Sequence, residues 1–398
     1  MKQSKGFLRR KRVTGRERLM ATLCSQPVER PAVNFYEIGG FAVEPSDPDP
    51  FNVYNDPSWQ PLLQLAEEQT DIIRMRSPIK SRSHNVGLQP KTTSREEFFT
   101  VEEYTEKGRR FTHTTLEIAG RTMTSMTRRD PEIDTIWTLE HLLKNLDDIR
   151  AYLKLPDEVF TEDIHIDTLL KEDKQLGERG VVMVDTEDPI CAAASLFSME
   201  DFTIIALTEQ KLFRSLLEKL SCHIYARTEK TAKAFPCHLW RIYGPEYATE
   251  PYLPPHLFKE YVVRYTGPMV ETIQKYGGFA RIHCHGRLQA VLDYIVEMRA
   301  DAIDPLEPPP QGDVELEYVR SKYGKDLVLF GNIEIADIEN AEPRQFEKIV
   351  EKTLRDGTSG QGKGFVLMPS SSPNGRTITP NVMANYETMV RLTTKFNL

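Results

Sequence analysis

The segment His283-Cys284-His285-Gly286 concentrates more reactive side chains than any other short stretch of the chain. In an extended strand, alternate side chains share a face, so Arg281, His283 and His285 point one way and Cys284 the other. Two imidazoles so spaced can converge on one divalent ion, with Zn²⁺–N bonds of ~2.0–2.1 Å. Without a metal, the same pair serves as general acid and base. The residues alone leave both readings open. Two carboxylates stand in stiff turns nearby in the pattern. Glu246 follows Tyr243-Gly244-Pro245, and Glu307 lies in Asp304-Pro305-Leu306-Glu307-Pro308, where proline fixes φ. Each has the chemistry of a third metal ligand or a general base.

Such groups need a scaffold that gathers strand ends. Thr14 and Glu17 have the spacing of a capping box, which predicts a helix over about 14–25. Residues 32–36 read as a strand, 57–69 as a helix and 71–75 as a second strand. Thr-rich alternation between Glu103 and Arg129, punctuated by Gly108 and Gly120, predicts an antiparallel ribbon, with helices over 138–153 closing it. From 180 onward the pattern is regular. Short apolar strands at 181–185, 237–243, 279–285, 302–306, 327–332 and 364–368 alternate with helices at 198–206, 209–233, 256–275, 287–299, 313–322, 343–355 and 380–395. Eight strands joined by helical crossovers imply a parallel sheet buried on both faces. The expected fold is α/β, a (β/α)8 TIM barrel with an inserted antiparallel β ribbon; an open doubly wound sheet is the second choice. The expected organisation is one domain over 1–398, with 77–150 as an inserted β-rich subdomain.

In such a barrel the reacting groups lie at the C-terminal strand ends. Those ends carry Glu37, Asp185, Glu187, Tyr243, Glu246, His283, His285, Asp304, Glu307, Asn332, Glu334 and Ser370–Ser372. Glu37, Tyr243, Asn332 and the serine stretch, with Arg241, are substrate-binding candidates, and Glu246 and Glu307 catalytic carboxylates. Ser370–Ser372 has no His/Asp pair beside it, which argues against a nucleophilic serine. The glycines at 357, 360, 362 and 364 precede a strand, the wrong order for a phosphate-binding turn.

Composition narrows the classes. With 39% hydrophobic residues the chain can bury a sizeable core, and a net charge of −8 argues against general nucleic-acid binding. Eight Lys/Arg fall in the first 18 residues, read as a solvated basic arm, with no apolar stretch after it to make a secretory signal. Five cysteines without a CxxC pair point to a reducing, cytoplasmic setting. No apolar run reaches the ~18 residues of a membrane span.

Taken in order, several segments resemble the uroporphyrinogen decarboxylase superfamily, which also holds the zinc-dependent corrinoid and coenzyme M methyltransferases. They are Arg16-Glu17-Arg18-Leu19 with Pro31, Gly277-Gly278 leading to His283-Cys284-His285-Gly286, and 300–307. Val328-Leu329-Phe330-Gly331-Asn332-Ile333, 364–368 and Thr379-Pro380-Asn381-Val382 complete the set. The resemblance covers roughly residues 14–395 and implies a (β/α)8 barrel. The decarboxylases open with an Arg-Gln-Ala-Gly-Arg segment and carry an essential aspartate after the second strand. Here those places read Phe35-Tyr36-Glu37-Ile38-Gly39-Gly40 and Arg74-Met75-Arg76-Ser77-Pro78. A carboxylate-rich porphyrinogen would meet Glu37 rather than a cation. The methyltransferases bind zinc through His-x-Cys and a late Cys. His283 matches the His, His285 stands at the first Cys, and Ser371 is nearest to the late one. Loss of two thiolates makes a bound ion a stronger Lewis acid.

The resemblance thus implies a metal-dependent, methyltransferase-like enzyme with Zn²⁺ on His283 and His285, and Glu246 or Glu307 as third ligand or base. A corrinoid would arrive on a separate partner protein, and a homodimer is implied because family members pair. Two alternatives remain. One is a metal-free decarboxylase or lyase, with the His pair as acid and base and Arg74, Arg76, Arg241 or Arg281 holding the anion. The other is a non-catalytic tetrapyrrole-binding barrel.

Overall fold

The computed structural model describes residues 13–79 and 93–398; most of the basic N-terminal arm and part of the expected insertion lie outside the described residues. In chain order the strands are β1 (Ala32–Val33), β2 (Ile72–Arg76), β3 (Phe99–Glu106), β4 (Arg109–Ile118), β5 (Arg121–Arg129), β6 (Ile136–Glu140), β7 (Gly180–Glu187), β8 (Leu239–Tyr243), β9 (Phe279–Cys284), β10 (Ala302–Pro305), β11 (Val328–Ile333) and β12 (Phe365–Pro369). Eight of them form one curled parallel sheet in the order β1-β12-β11-β10-β9-β8-β7-β2. Its two ends meet where the Asp71 amide donates to the Val33 carbonyl at 2.8 Å and the Asn34 side chain donates to the Asp71 carbonyl at 3.2 Å. The expected TIM-barrel fold is therefore present.

Helices cover the outside of the sheet with apolar stripes. The helix Pro343–Thr358 buries Phe346, Val350 and Leu354, spaced four apart along one face. Inside the barrel a separate apolar layer fills the N-terminal end. The helix Gly15–Leu23 closes that end. Its capping box is formed, with Thr14 accepting from the Glu17 amide and Glu17 accepting from the Thr14 amide. Leu19 and Leu23 then pack against Ala32, Ile73, Val181, Leu239, Val328 and Val366. Burying one such leucine is worth about 1.5–3 kcal/mol.

Between β2 and β7 stands a four-stranded antiparallel sheet, β3-β4-β5-β6. Lys107-Gly108 and Ala119-Gly120 turn its first two hairpins, all four residues at positive φ. Two-residue turns of that hand match the twist of the flanking strands.

The structure corrects several expected elements. Residues 136–140 are a strand, not part of a helix; Ile136-Trp137-Thr138-Leu139 is β-branched and aromatic, which suits a pleated surface. The helix expected over 287–299 is only Leu292–Glu297. Asp313 accepts from the Leu288 and Gln289 amides at 2.7 and 3.0 Å, and holds that stretch as a turn. The strand expected over 32–36 stops at Val33 because Tyr36 lies at φ 57. The helix expected over 256–275 breaks into Pro255–Phe258, a wider turn Lys259–Val263, and Arg264–Lys275 with Pro268 inside it. Among the described residues no helix is long and apolar enough to cross a membrane, and all five cysteines are free.

Candidate active site

Strand register stacks polar side chains above the apolar floor. Asp185, Arg241 and Arg281 are in register on β7, β8 and β9 and form one layer. One step toward the C-terminal ends, Glu187, Tyr243, His283 and Asp304 are in register on β7, β8, β9 and β10. Alternation along each strand turns both layers into the barrel.

The layers are joined by charge. Arg241 Nε lies 2.8 Å from Asp185 Oδ1, and Arg281 Nε lies 3.0 Å from Asp304 Oδ1. Both pairs are close ion pairs out of line for a hydrogen bond. The guanidinium of Arg281 also stacks over Phe330, 4.9 Å from the ring centre. Burial opposes ionisation of Asp304, but Arg281 and His283 outweigh it and hold the carboxyl at about 2.

His283 Nδ1 sits 2.7 Å from Asp304 Oδ2. An ionised carboxylate only accepts, so Nδ1 carries the proton and Nε2 is the acceptor. The Tyr36 hydroxyl, 3.4 Å from Nε2, is the donor to it, and Arg241 in turn donates to the Tyr36 oxygen. Burial, helped by Arg241 and opposed by Asp304, pushes the imidazole down to about 3 and keeps it neutral. Tyr36 enters this chain from a loop, its amide donating to Asn34 Oδ1 at 2.8 Å.

His285 lies just past the end of β9. Its Nδ1 is 2.7 Å from Glu307 Oε1, and the Gly286 amide donates to Glu307 Oε2 at 2.7 Å. Burial opposes its charged form, but Glu307 outweighs that and raises the imidazole. The two rings are 4.6 Å apart at 88°. Each imidazole thus has Nδ1 on a carboxylate, the pairing that orients metal-binding histidines; Nε2 of His283 faces the Tyr36 hydroxyl.

Glu246 stands in the turn after β8. Gly244, at φ 120, makes that turn; a Cβ there would lie 2.2 Å from the Cys191 side chain. The Gly244 amide donates to Glu246 Oε2 at 3.0 Å, and burial raises the carboxyl despite this. Glu334, at the end of β11, accepts from Ser370 at 3.2 Å, while its Oε1 is buried without a partner among the described residues. Burial, then the charge of Glu307, pushes it up to about 7.

The remaining candidates scatter. Glu37 accepts from Ser372, and burial raises it. Tyr243 donates to Glu187 at 3.4 Å. Arg241 is occupied by Asp185 and Tyr36. Asn332 turns away from the opening, donating to the Leu306 carbonyl at 3.1 Å and accepting from Thr353 at 3.4 Å. Ser371 bonds only its neighbour's carbonyl, whereas Ser370 and Ser372 on either side reach carboxylates. Sequence reasoning missed Tyr36 as a site residue, and had Glu334 at a strand end without a role. It had Asp304 at a strand end and Arg281 on the right face, but not the ion pair between them.

Asp188 caps the helix Pro189–Ala194 beneath Glu246, accepting from the Cys191 amide at 2.8 Å and the Thr266 hydroxyl at 2.9 Å. Burial pushes it up to about 8. The folded chain then holds a proton that the unfolded chain releases near pH 4, so stability falls as pH rises from about 4 toward 8. The slope is about 1.4 kcal/mol per pH unit while one proton separates the states. Asp188→Asn should flatten that slope in urea unfolding followed across this range; an unchanged slope would assign it elsewhere.

A parallel barrel with titratable groups gathered at the C-terminal strand ends defines a (β/α)8 protein, and that mouth is the candidate site. The chain belongs to the uroporphyrinogen decarboxylase (URO-D) family, whose profile matches residues 120–392. A methyltransferase from Methanosarcina mazei shares the fold, with a TM-score of 0.59 at 13% identity over 97% of this chain and 99% of that one. More distant matches include the IOLI protein with a binding zinc atom, TM-score 0.36 at 12% identity over 63% of this chain and 87% of that one. A GH5-4 broad specificity endoglucanase from Bacteroides salanitronis follows, TM-score 0.34 at 8% identity over 61% and 79%. No curated protein matches the chain by sequence.

Proposed function

We propose that this chain is a methyltransferase-like enzyme, moving a methyl group between a small substrate and a corrinoid or thiol acceptor. The observation that carries the reading is the pair of carboxylate-anchored imidazoles at the end of β9. Family membership and the fold shared with a methyltransferase support it.

A divalent cation would be held by Nε2 of His285 and by Nε2 of His283, the latter only once the Tyr36 hydroxyl has released it. Among the described residues no three His, Cys, Asp or Glu side chains converge as a complete metal site. The remaining positions would fall to substrate atoms. Bound there, Zn²⁺ would supply Lewis acidity to an ether, hydroxyl or thiol group of the substrate. The protein's own groups do the rest. Asp304 and Glu307 fix the tautomer and orientation of the two rings. Without the ion, Tyr36 holds a proton at its hydroxyl between Arg241 and His283 Nε2; with the ion bound, that hydroxyl is released toward the substrate. Glu307 has both oxygens engaged and positions His285, so the base role goes to Glu246, a raised carboxyl with one oxygen not engaged by Gly244. The apolar floor excludes water from below.

A second reading is a metal-free decarboxylase or lyase, favoured by the missing third ligand and by Tyr36 already facing His283 Nε2. Metal content separates the two. Protein purified without chelator should carry near-stoichiometric zinc and lose methyl transfer, from a methyl-ether donor or a methylated corrinoid, when chelator is added. Turnover indifferent to chelator, in metal-free protein, would overturn the first reading.

A further inference from the structure

A cavity of about 340 Å³ lies outside the barrel, between the segment 157–164 and the helix Gln210–Ala234. Ligand pockets start near this size, so the occupant is small. Phe160 forms its apolar wall, with the His223 ring stacked 5.5 Å away at 19° and Lys219 Nζ over the same ring at 5.2 Å. Lys219, Arg227 and Lys230 line it, against Asp157 and Glu162. Two of the cations are matched: Lys219 lies 2.9 Å from Asp157 and Arg227 lies 2.6 Å from Glu162. Arg227 is also paired with Glu187, and Lys230, exposed at the rim, has no ion-pair partner among the described residues.

Two nitrogens of the lining are buried without a hydrogen-bond partner among the described residues, Arg227 Nε and His223 Nδ1. The side chain of Arg227 is only 2% exposed, so its N–H cannot rely on bulk solvent. It is also rigidly held. Its terminal nitrogens donate to Glu187 at 2.9 Å, Thr186 at 2.8 Å and Glu162. A preorganised, buried donor beside a neutral imidazole, with an exposed lysine at the rim and an aromatic wall, suits a negative oxygen.

We propose that this cavity binds a small anion, a carboxylate or phosphate group carried on a flat apolar body. The oxygens accept from Arg227 Nε, His223 and Lys230, and the body lies against Phe160. The cavity lies outside the barrel and touches the mouth through the Arg227–Glu187 pair, and its existence does not depend on the methyl-transfer reading.

The test is calorimetric titration of the full chain with inorganic phosphate and, separately, with benzoate. Binding at millimolar concentration or tighter is expected for at least one. Tighter phosphate would make the headgroup the determinant, and tighter benzoate would make the carboxylated ring the better occupant. Lys230→Glu, at an exposed position that should leave folding intact, and His223→Phe should each weaken binding at least tenfold. Absence of binding by both probes, or binding equally strong in Lys230→Glu, would overturn the proposal.

Discussion

Replacing Asp304 with alanine should destabilise the protein by about 3–5 kcal/mol, because it leaves a buried charge without its counterpart. Arg281 is 1% exposed and Asp304 is not exposed at all, so water cannot take over the lost role. Arg241 cannot help, since it is a second cation in the same layer. Urea unfolding of the two proteins measures the difference. The double variant Asp304→Ala/Arg281→Met should recover most of the loss. Methionine would sit among Phe330 and Met368, which already touch the guanidinium. Apolar replacement of a whole buried pair is often neutral or stabilising, whereas halving it is not. A single-variant loss below about 1 kcal/mol would show that Arg281 has found another partner, and the layered ion pairs would lose their structural role.

His285→Ala should lower turnover by roughly 10²- to 10⁴-fold, the range for removing a positioned proton-transfer group in the metal-free reading, and the loss of a metal-holding ring costs no less in the other. Its side chain is 37% exposed, so the fold should barely notice. His283, at 6%, is a poorer probe, because its removal also strands Asp304. Under the metal reading, zinc content of His285→Ala should fall with activity. Glu307→Gln should do less, about 10- to 100-fold, since the amide can still accept at one atom but no longer favours the charged ring. Full activity in His285→Ala would remove this imidazole from the chemistry whichever reaction is catalysed.

Much of the scaffold was legible in residue order. The Thr14–Glu17 cap, the eight short apolar strands and the helix Pro380–Lys395 all follow from local pattern. His283 and His285 stood out because reactive residues were adjacent in sequence. What failed was non-local. Tyr36 looked like the last residue of a strand; only a left-handed backbone turn delivers its phenol to His283, 247 positions away. The Arg281–Asp304 pair depends on the register between β9 and β10. Ser371 was favoured over its neighbours by a resemblance, yet alternation past β12 brings Ser370 and Ser372 to the carboxylates. Asn332 sat at a strand end, as a ligand contact would, but its amide belongs to the Leu306 carbonyl and Thr353.

The plug made by Leu19 and Leu23 has a kinetic corollary. With the far side stoppered, whatever is consumed and whatever is made must pass through one doorway. Under the proposed methyl transfer, a donor and a bulky carrier could not occupy it from opposite directions. Turnover involving two large reactants becomes a matter of taking turns, and the departing species competes directly with the next arrival.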